Sequence, residues 1–281
     1  MKIGCIGQGF VGKNIADDFE NRGFEVVRYA LEEEYKNNAK KILDCEIVFV
    51  GVPTPTTSSG FDYSIVKEVI SLVNDGAIVV IKSTLLPGTT LKLQQFYENK
   101  IILFSPEFLS EKTAAYDAAN PIMNIIGFPK DTEDYRKAAD MVMDILPKSD
   151  FNHMVSSQSA EILKYAHNLN GYFRIILSNL LFEVSKKIGA NWDDISTMMD
   201  NDVMMSPYYN IPVHKGGRGA GGNCFIKDMA AFRHLYEEEI SDDVKGLAVL
   251  KVLEEKNLDL LKSTNKNQDL VDGVYGPKNI T

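Results

Sequence analysis

Residues 2–12 read KIGCIGQGFVG. The run Lys2–Ile6 has the length and apolar character of a strand, glycines 7, 9 and 12 follow at once, and Val11, Ile15, Ala16 and Phe19 then recur at helical spacing as far as Arg22-Gly23. That order of strand, glycine turn and helix gives G-x-G-x-x-G its meaning as a dinucleotide-binding turn. Gly7 makes the tight turn, Gly9 lets a pyrophosphate reach the helix N-terminus, and Gly12 lets the helix pack on the strand. The second strand, Phe24–Tyr29, should end in an acidic residue that holds ribose hydroxyls, but Ala30 stands there. Glu32, Glu33 and Glu34 can substitute from the next turn or can simply be a solvated helix start. Their charge would repel a 2′-phosphate and so favours NAD over NADP, with Arg28 arguing the other way.

The alternation continues past Glu46. Ile47–Val52, Ala77–Lys82 and Ile101–Phe104 read as strands, with helices over Ser64–Val73 and Thr89–Tyr97 between them. Near-continuous apolar strands separated by helices predict a doubly wound parallel sheet covered on both faces, hence an α/β fold. Asn124–Phe128, a helix over Asp131–Leu146 and a strand at Phe151–Val155 complete it. Ligands bind outside the carboxyl ends of such strands. There the chain reads Val-Pro-Thr-Pro-Thr (52–56), Lys-Ser-Thr (82–84) with Pro-Gly-Thr-Thr (87–90), and Ser-Pro-Glu-Phe-Leu (105–109) with Glu111.

Beyond residue 155 the texture changes. Ser156–Ile188 is one helical pattern without proline, closed by Gly189; at 1.5 Å per residue it makes a rod of roughly 48 Å, longer than a small helical domain needs. Such a helix links domains or pairs with its own copy, so a homodimer through it is expected. Lys164 and Asn168, four apart, share a face. Further helices are expected at Trp192–Met199, Cys224–Glu238 and Asp243–Leu261. The reading divides the chain into a dinucleotide-binding domain (1–155), an all-helical domain (156–262) and a polar, poorly ordered tail (263–281).

Composition narrows the function. A net charge of -9 and a pI near 5.1 argue against nucleic acid or an anionic membrane as partner, so an anionic ligand would need locally placed cations. Cys5, Cys45 and Cys224 are far apart, odd in number and lack metal-type spacing, which suggests a reducing compartment and no metal. No apolar run is long enough to span a membrane, and no signal peptide is visible, so the cytoplasm is expected.

A second glycine-rich stretch, GGRGAGGNCFIKD (216–228), holds five glycines, one thiol, two cations and one carboxylate. Helical spacing resumes at Phe225, which puts Cys224 near a helix N-terminus. The dipole and nearby Lys227 would favour the thiolate there, and Asp228 would share its face. A flexible glycine loop before a buried structural cysteine is the other reading of the same residues.

Taken in order, G-x-G-x-x-G, V-P-T-P-T, K-S-T with P-G-T-T, S-P-E-F-L-x-E, A-E-I-L-K-Y-A-x-N and G-x-G-x-G-G-x-C-F-x-K-D resemble the UDP-glucose 6-dehydrogenase family, within the UDP-glucose/GDP-mannose dehydrogenases. The resemblance covers residues 1 to about 235. It implies oxidation of a nucleotide sugar, UDP-glucose first, to its carboxylate by two NAD-dependent hydride transfers. By the same resemblance Cys224 carries the thiohemiacetal and thioester, Lys164 and Asn168 stabilise the oxyanion beside Asp228, and Thr84, Glu107 and Glu111 position and activate water. The cofactor would lie against Gly7, Gly9, Phe10, Val11, Gly12, Pro53, Thr54, Thr84 and Lys227. The substrate would meet Phe108, Leu109, Lys164, Asn168, Lys215, Arg218 and Gly221.

The chain departs from the family in several places. Ala30 replaces the ribose-binding acid, Leu180 stands where the long helix carries Glu, the segment 201–213 lacks the usual arginine pattern, and nothing after Leu261 resembles the family's second nucleotide-binding domain. Two other readings stay open on the residues: a β-hydroxyacid dehydrogenase, which shares a Lys and an Asn four residues apart on its long helix but needs no cysteine, and a non-catalytic cofactor-binding module.

Overall fold

The computed structural model describes residues 1–277, and the chain divides into two compact units, Met1–Thr54 with Asp62–Lys164, and Pro55–Phe61 with Tyr165 onward. The division falls inside the long helix, not at its start.

The first unit is built on a seven-stranded sheet. β1 (Lys2–Ile6) leads through α1 (Phe10–Asn21) to β2 (Glu25–Tyr29), and a short α2 (Ala39–Ile42) leads to β3 (Ile47–Val50). The chain then leaves for the hairpin β4 (Thr56–Thr57) and β5 (Gly60–Phe61), which belongs to the second unit. It returns as α3 (Ser64–Ile70), β6 (Ile78–Ile81), α4 (Thr89–Phe96), β7 (Ile101–Phe104), α5 (Ala114–Ala119), β8 (Met123–Phe128), α6 (Glu133–Ile145) and β9 (Phe151–Ser156). The strand order is β2-β1-β3-β6-β7-β8-β9. The chain runs outward from β1 to β2 and then back past it to β3, so the switch point, where open α/β sheets bind ligands, lies at the ends of β1 and β3.

The core explains the near-continuous apolar strands. β3 and β6 are buried along their whole length, and Phe19 of α1 packs with Ile3, Cys5, Ile47 and Phe49 beneath it. The expected parallel sheet carries one reversal: β8 pairs antiparallel with β7, and β9 then pairs parallel with β8. The connection between β7 and β8 carries the six-residue α5, which packs on α1.

The second unit takes up α7 (Ser157–Ile188), which starts in the first unit, then α8 (Trp192–Asn201), the hairpin β10 (Val213–His214) with β11 (Gly217–Arg218), α9 (Gly222–Glu239), α10 (Val244–Ser263) and α11 (Gln268–Tyr275). Gly189 closes α7 at φ +76, as the sequence suggests. The interior glycine of α7 has a packing cause: a Cβ on Gly171 would stand 2.9 Å from both Phe225 and Tyr209 rings. Within residues 263–277 the expected disorder is replaced by structure. α11 buries Val271 and Val274 against Ile226, Ala230 and Leu261, and Tyr275 donates to Glu254 Oε1 at 2.7 Å. Leu270 and Tyr275 pack against the same cluster, to which α9 and α10 supply the other side. Residues 278–281 of the expected tail lie outside the described residues.

Candidate active site

At the end of β1 the three glycines have three separate causes. Gly7 sits at φ +88 with its N–H on Tyr29 O at 2.8 Å, and a Cβ there would meet Gly51 O at 2.3 Å. A Cβ on Gly12 would lie 1.9 Å from Gly7 O, so helix and strand touch there through backbone alone. A Cβ on Gly9 would meet nothing within 4 Å. The protein itself does not require glycine at position 9, so the start of α1 is left open to the approach of a ligand. These residues therefore fit a dinucleotide. Phe10 and Val11 form the first turn of α1, with Phe10 exposed.

Ala30 is buried at the end of β2. Arg28, which could have held a 2′-phosphate, is spent within the protein: Nη2 donates to Asp17 Oδ1 at 2.6 Å and Glu20 Oε2 at 2.7 Å, Nε to Glu20 Oε1 at 2.9 Å, and Nη1 to Gln8 Oε1 at 3.2 Å. These pairs raise the guanidinium above its ordinary value, the Glu20 bond first. Glu33 pairs with Lys36, while Glu32 and Glu34 are exposed.

The loops after β3 and β6 are stitched together. Ser83 Oγ accepts from Val52 N at 2.9 Å and donates to Val52 O at 2.7 Å, and Thr54 Oγ1 donates to Thr84 O at 2.8 Å, with Pro53 between these ties. Beside them lies a buried charge cluster. Lys164 Nζ donates to Glu107 Oε1 at 2.9 Å and Glu107 O at 2.5 Å, and Glu107 Oε2 accepts from Leu109 N at 2.8 Å. Burial alone would raise the Glu107 carboxyl, but Lys164, the Leu109 N–H and Lys82 outweigh it and hold the group below the usual carboxylate range. The Lys164 ammonium stands 5.4 Å from the Phe108 ring centre, and Glu111 is exposed.

Lys82, which the sequence reading passed over in favour of its hydroxyl neighbours, is buried and donates to Ser105 Oγ at 3.0 Å and Pro106 O at 3.4 Å. Burial pushes its pKa down to about 8, against the pull of Glu107 and with the help of Lys164. Glu161, also passed over, is fully buried and caps α4, taking Gly88 N at 2.6 Å, Thr90 N at 2.8 Å and Thr90 Oγ1 at 2.6 Å.

In the second unit Cys224 falls in the first turn of α9 and is exposed, whereas Cys5 and Cys45 are buried with their thiols pushed up by burial, Cys45 to about 11. Asp228, one turn further, is only 1% exposed; its Oδ2 accepts from Asn168 Nδ2 at 2.6 Å and its Oδ1 from Lys227 Nζ. Lys227 is thus engaged by Asp228. Lys164 and Asn168 stand one turn apart on α7.

The glycine loop differs from its sequence reading. Its free backbone suggested space for a ligand, but the space beside Gly217, Gly219 and Gly221 holds protein: Cβ atoms there would meet Lys266 Cβ at 2.7 Å, Asn257 Oδ1 at 3.0 Å and Asn267 Oδ1 at 2.2 Å. Arg218, expected to reach a phosphate, donates from Nε to Asn179 Oδ1 at 2.8 Å and from Nη1 to Glu183, with Phe182 packed beneath it. Lys215 is exposed at φ +50. Arg174 of α7 pins the segment before the loop, donating to Ser206 O at 2.6 Å and Asn210 Oδ1 at 2.9 Å. Among the described residues no His, Cys, Asp and Glu cluster could hold a metal ion, and no helix is long and apolar enough to cross a membrane.

A strand–glycine–helix turn with room for a pyrophosphate, on a sheet joined to a helical unit by one long helix, defines the dinucleotide-linked dehydrogenase class. Residues 28–145 match the NAD binding domain of the UDP-glucose/GDP-mannose dehydrogenase family and residues 158–257 match its central domain; the chain belongs to that family. A protein named UDP-glucose 6-dehydrogenase from Rickettsia felis is 27% identical over 275 residues, covering 94% of this chain and 58% of the relative, so the chain spans little more than half that length. In fold it resembles a UDP-glucose dehydrogenase from Pyrobaculum islandicum, at TM-score 0.77 and 22% identity over 92% of this chain and 68% of the other. It also resembles a 3-hydroxyisobutyrate dehydrogenase from Mycobacterium tuberculosis, at TM-score 0.70 and 12% identity, covering 94% of both chains. Both structural likenesses speak to the fold.

Proposed function

We propose that the chain oxidises the primary alcohol of a nucleotide sugar, UDP-glucose first among candidates, to the carboxylate with NAD as oxidant. The observation that carries this is an exposed cysteine in the first turn of α9, followed one turn later by a buried Asp228 bonded to Asn168, inside the region matching the family's central domain. Bound NAD, held at Gly7, Gly9 and Gly12, would accept a hydride twice per sugar. The residues of the chain do the rest. As the alcohol becomes an aldehyde its proton leaves to solvent or a nearby base; Cys224 Sγ then adds to the carbonyl carbon as thiohemiacetal, and loss of the second hydride leaves a thioester. Lys164 and Asn168 offset the charge that develops on the sugar oxygen. Water ordered by Thr84, Glu107 and Glu111 splits the thioester, giving the carboxylate and the free thiol. The balance is one alcohol, one water and two NAD to one carboxylate, two NADH and three protons.

Two further readings belong with this one. The stripe Leu177, Leu181, Val184 and Ile188 lies exposed on α7 at helical spacing, which supports a homodimer through that helix. The odd, well-separated thiols support a reducing, cytoplasmic setting.

The test is incubation with NAD and a panel of UDP- and GDP-sugars, counting NADH per sugar consumed and searching for a covalent adduct by mass spectrometry. Two NADH per sugar and an adduct on Cys224 are expected, and Cys224→Ala should lose the second oxidation. Unchanged two-step turnover in Cys224→Ala would exclude the scheme. The spacing of Lys164 and Asn168, one turn apart on α7, also suits one alternative, a single oxidation of a small β-hydroxyacid. It calls for one NADH per substrate and no adduct.

A further inference from the structure

The stretch from β11 into α9 is held by the chain that follows it. Arg218 N donates to Thr264 Oγ1 at 3.0 Å, and Ala220 N to Asn257 Oδ1 at 2.6 Å. Asn257 Nδ2 returns a bond to Ala220 O at 2.9 Å, Lys266 Nζ donates to Gly219 O at 2.9 Å, and Gly222 N, the first N–H of α9, donates to Asn267 Oδ1 at 3.0 Å. Every second residue of the loop is glycine because these side chains occupy the space its side chains would need. Asn267 adopts φ +54, a left-handed conformation, to present its carboxamide to the helix start. The backbone N–H groups of residues 218, 220 and 222 are therefore satisfied inside the protein. They brace the loop.

We propose that Asn257, Lys266 and Asn267 are positioning residues for Cys224, fixing the glycine loop so that the first turn of α9 stays formed around the thiol. Nothing else in α9's own sequence does this: its N-cap is Gly221, which has no side chain to cap with. Fraying of that turn would remove the ordered helix start on which Cys224 sits, and aligned N–H groups at a helix start stabilise a thiolate. The proposal gives the braced segment a catalytic meaning that rests on Cys224 being the nucleophile, whereas the brace itself can be tested without turnover.

The experiment compares wild type with Asn267→Gly, which deletes the carboxamide yet keeps a left-handed backbone unstrained, and with Lys266→Met, which keeps the packed stem and loses the ammonium. Iodoacetamide labelling is followed by peptide mass mapping from pH 6 to 10, with buried Cys5 and Cys45 reporting any loss of fold in the same sample. In Asn267→Gly the midpoint for Cys224 should move up and its labelling at pH 7 should slow about threefold, with a smaller change in the same direction for Lys266→Met. With NAD and UDP-glucose, both variants should fall below two NADH per sugar as aldehyde escapes before capture. A shifted midpoint in a protein whose wild type forms no NADH would support the brace and refute the dehydrogenase reading. Folded variants that keep the wild-type midpoint and full NADH yield would overturn the proposal. Labelling of Cys5 and Cys45 in both variants would also overturn it, in favour of a purely structural tie.

Discussion

Lys82 offers the sharpest check on the charge cluster, through Lys82→Met. The side chain is buried against Ser105 Oγ and Pro106 O, and Glu107 and Lys164 are the charged groups that act on it. Its pKa is about 8 in the fold against 10.5 for an ordinary lysine. Between those values the unfolded chain carries the proton and the folded chain does not, so unfolding takes up a proton and stability rises with pH. At about 1.4 kcal/mol per tenfold change in proton activity, this contribution grows by about 2.5 kcal/mol from pH 7 to pH 10. Methionine fills a similar volume without titrating; the bonds it forfeits change stability by an amount independent of pH. Cys5 and Cys45 pull the other way, because their buried thiols stay protonated while the unfolded thiols ionise, but they act equally in both proteins. Urea unfolding of both at pH 7, 8, 9 and 10 should therefore show the stability difference, wild type minus variant, rising by about 2.5 kcal/mol. A difference that stays flat or falls would mean that Lys82 titrates normally and the cluster is wetter than its packing implies.

Two contrasts test the remaining geometry. Gly9→Ala should melt within a degree or two of wild type and weaken NAD binding by isothermal titration, since its Cβ meets no protein atom; Gly12→Ala, with its Cβ 1.9 Å from Gly7 O, should lose both stability and binding. Equal melting of the two variants would remove the distinction. Glu161→Gln turns an amide N–H₂ toward the N–H of Gly88 or Thr90 and should cost about 1–3 kcal/mol in urea unfolding, whereas no loss would show that α4 does not need this cap.

What the sequence determined by itself lay where cause and effect are a few residues apart. Gly7, Gly9 and Gly12 act within one turn, the apolar strands announce burial on both faces, and the pattern ending at Gly189 sets the length of α7, so the α/β class and the dinucleotide turn were legible. Cys224 at the start of a helix followed from glycines giving way to helical spacing. Tertiary structure decided the rest, because the partners lie far apart in the chain and leave no local period. The reversal of β8 against β7 and the packing of α5 on α1 are long-range arrangements that no local period announces. Arg218 was free for a phosphate on paper, but α7 supplies Asn179 and Glu183 to hold it. Lys82 looks like an ordinary strand-end lysine until the end of β7 buries it beside Glu107. Thr264, Lys266 and Asn267 read as a polar tail, yet they meet unsatisfied backbone 45 or more residues away along the chain. A polar side chain's composition cannot distinguish solvent from a buried backbone as its partner; only the fold brings the two within hydrogen-bond reach.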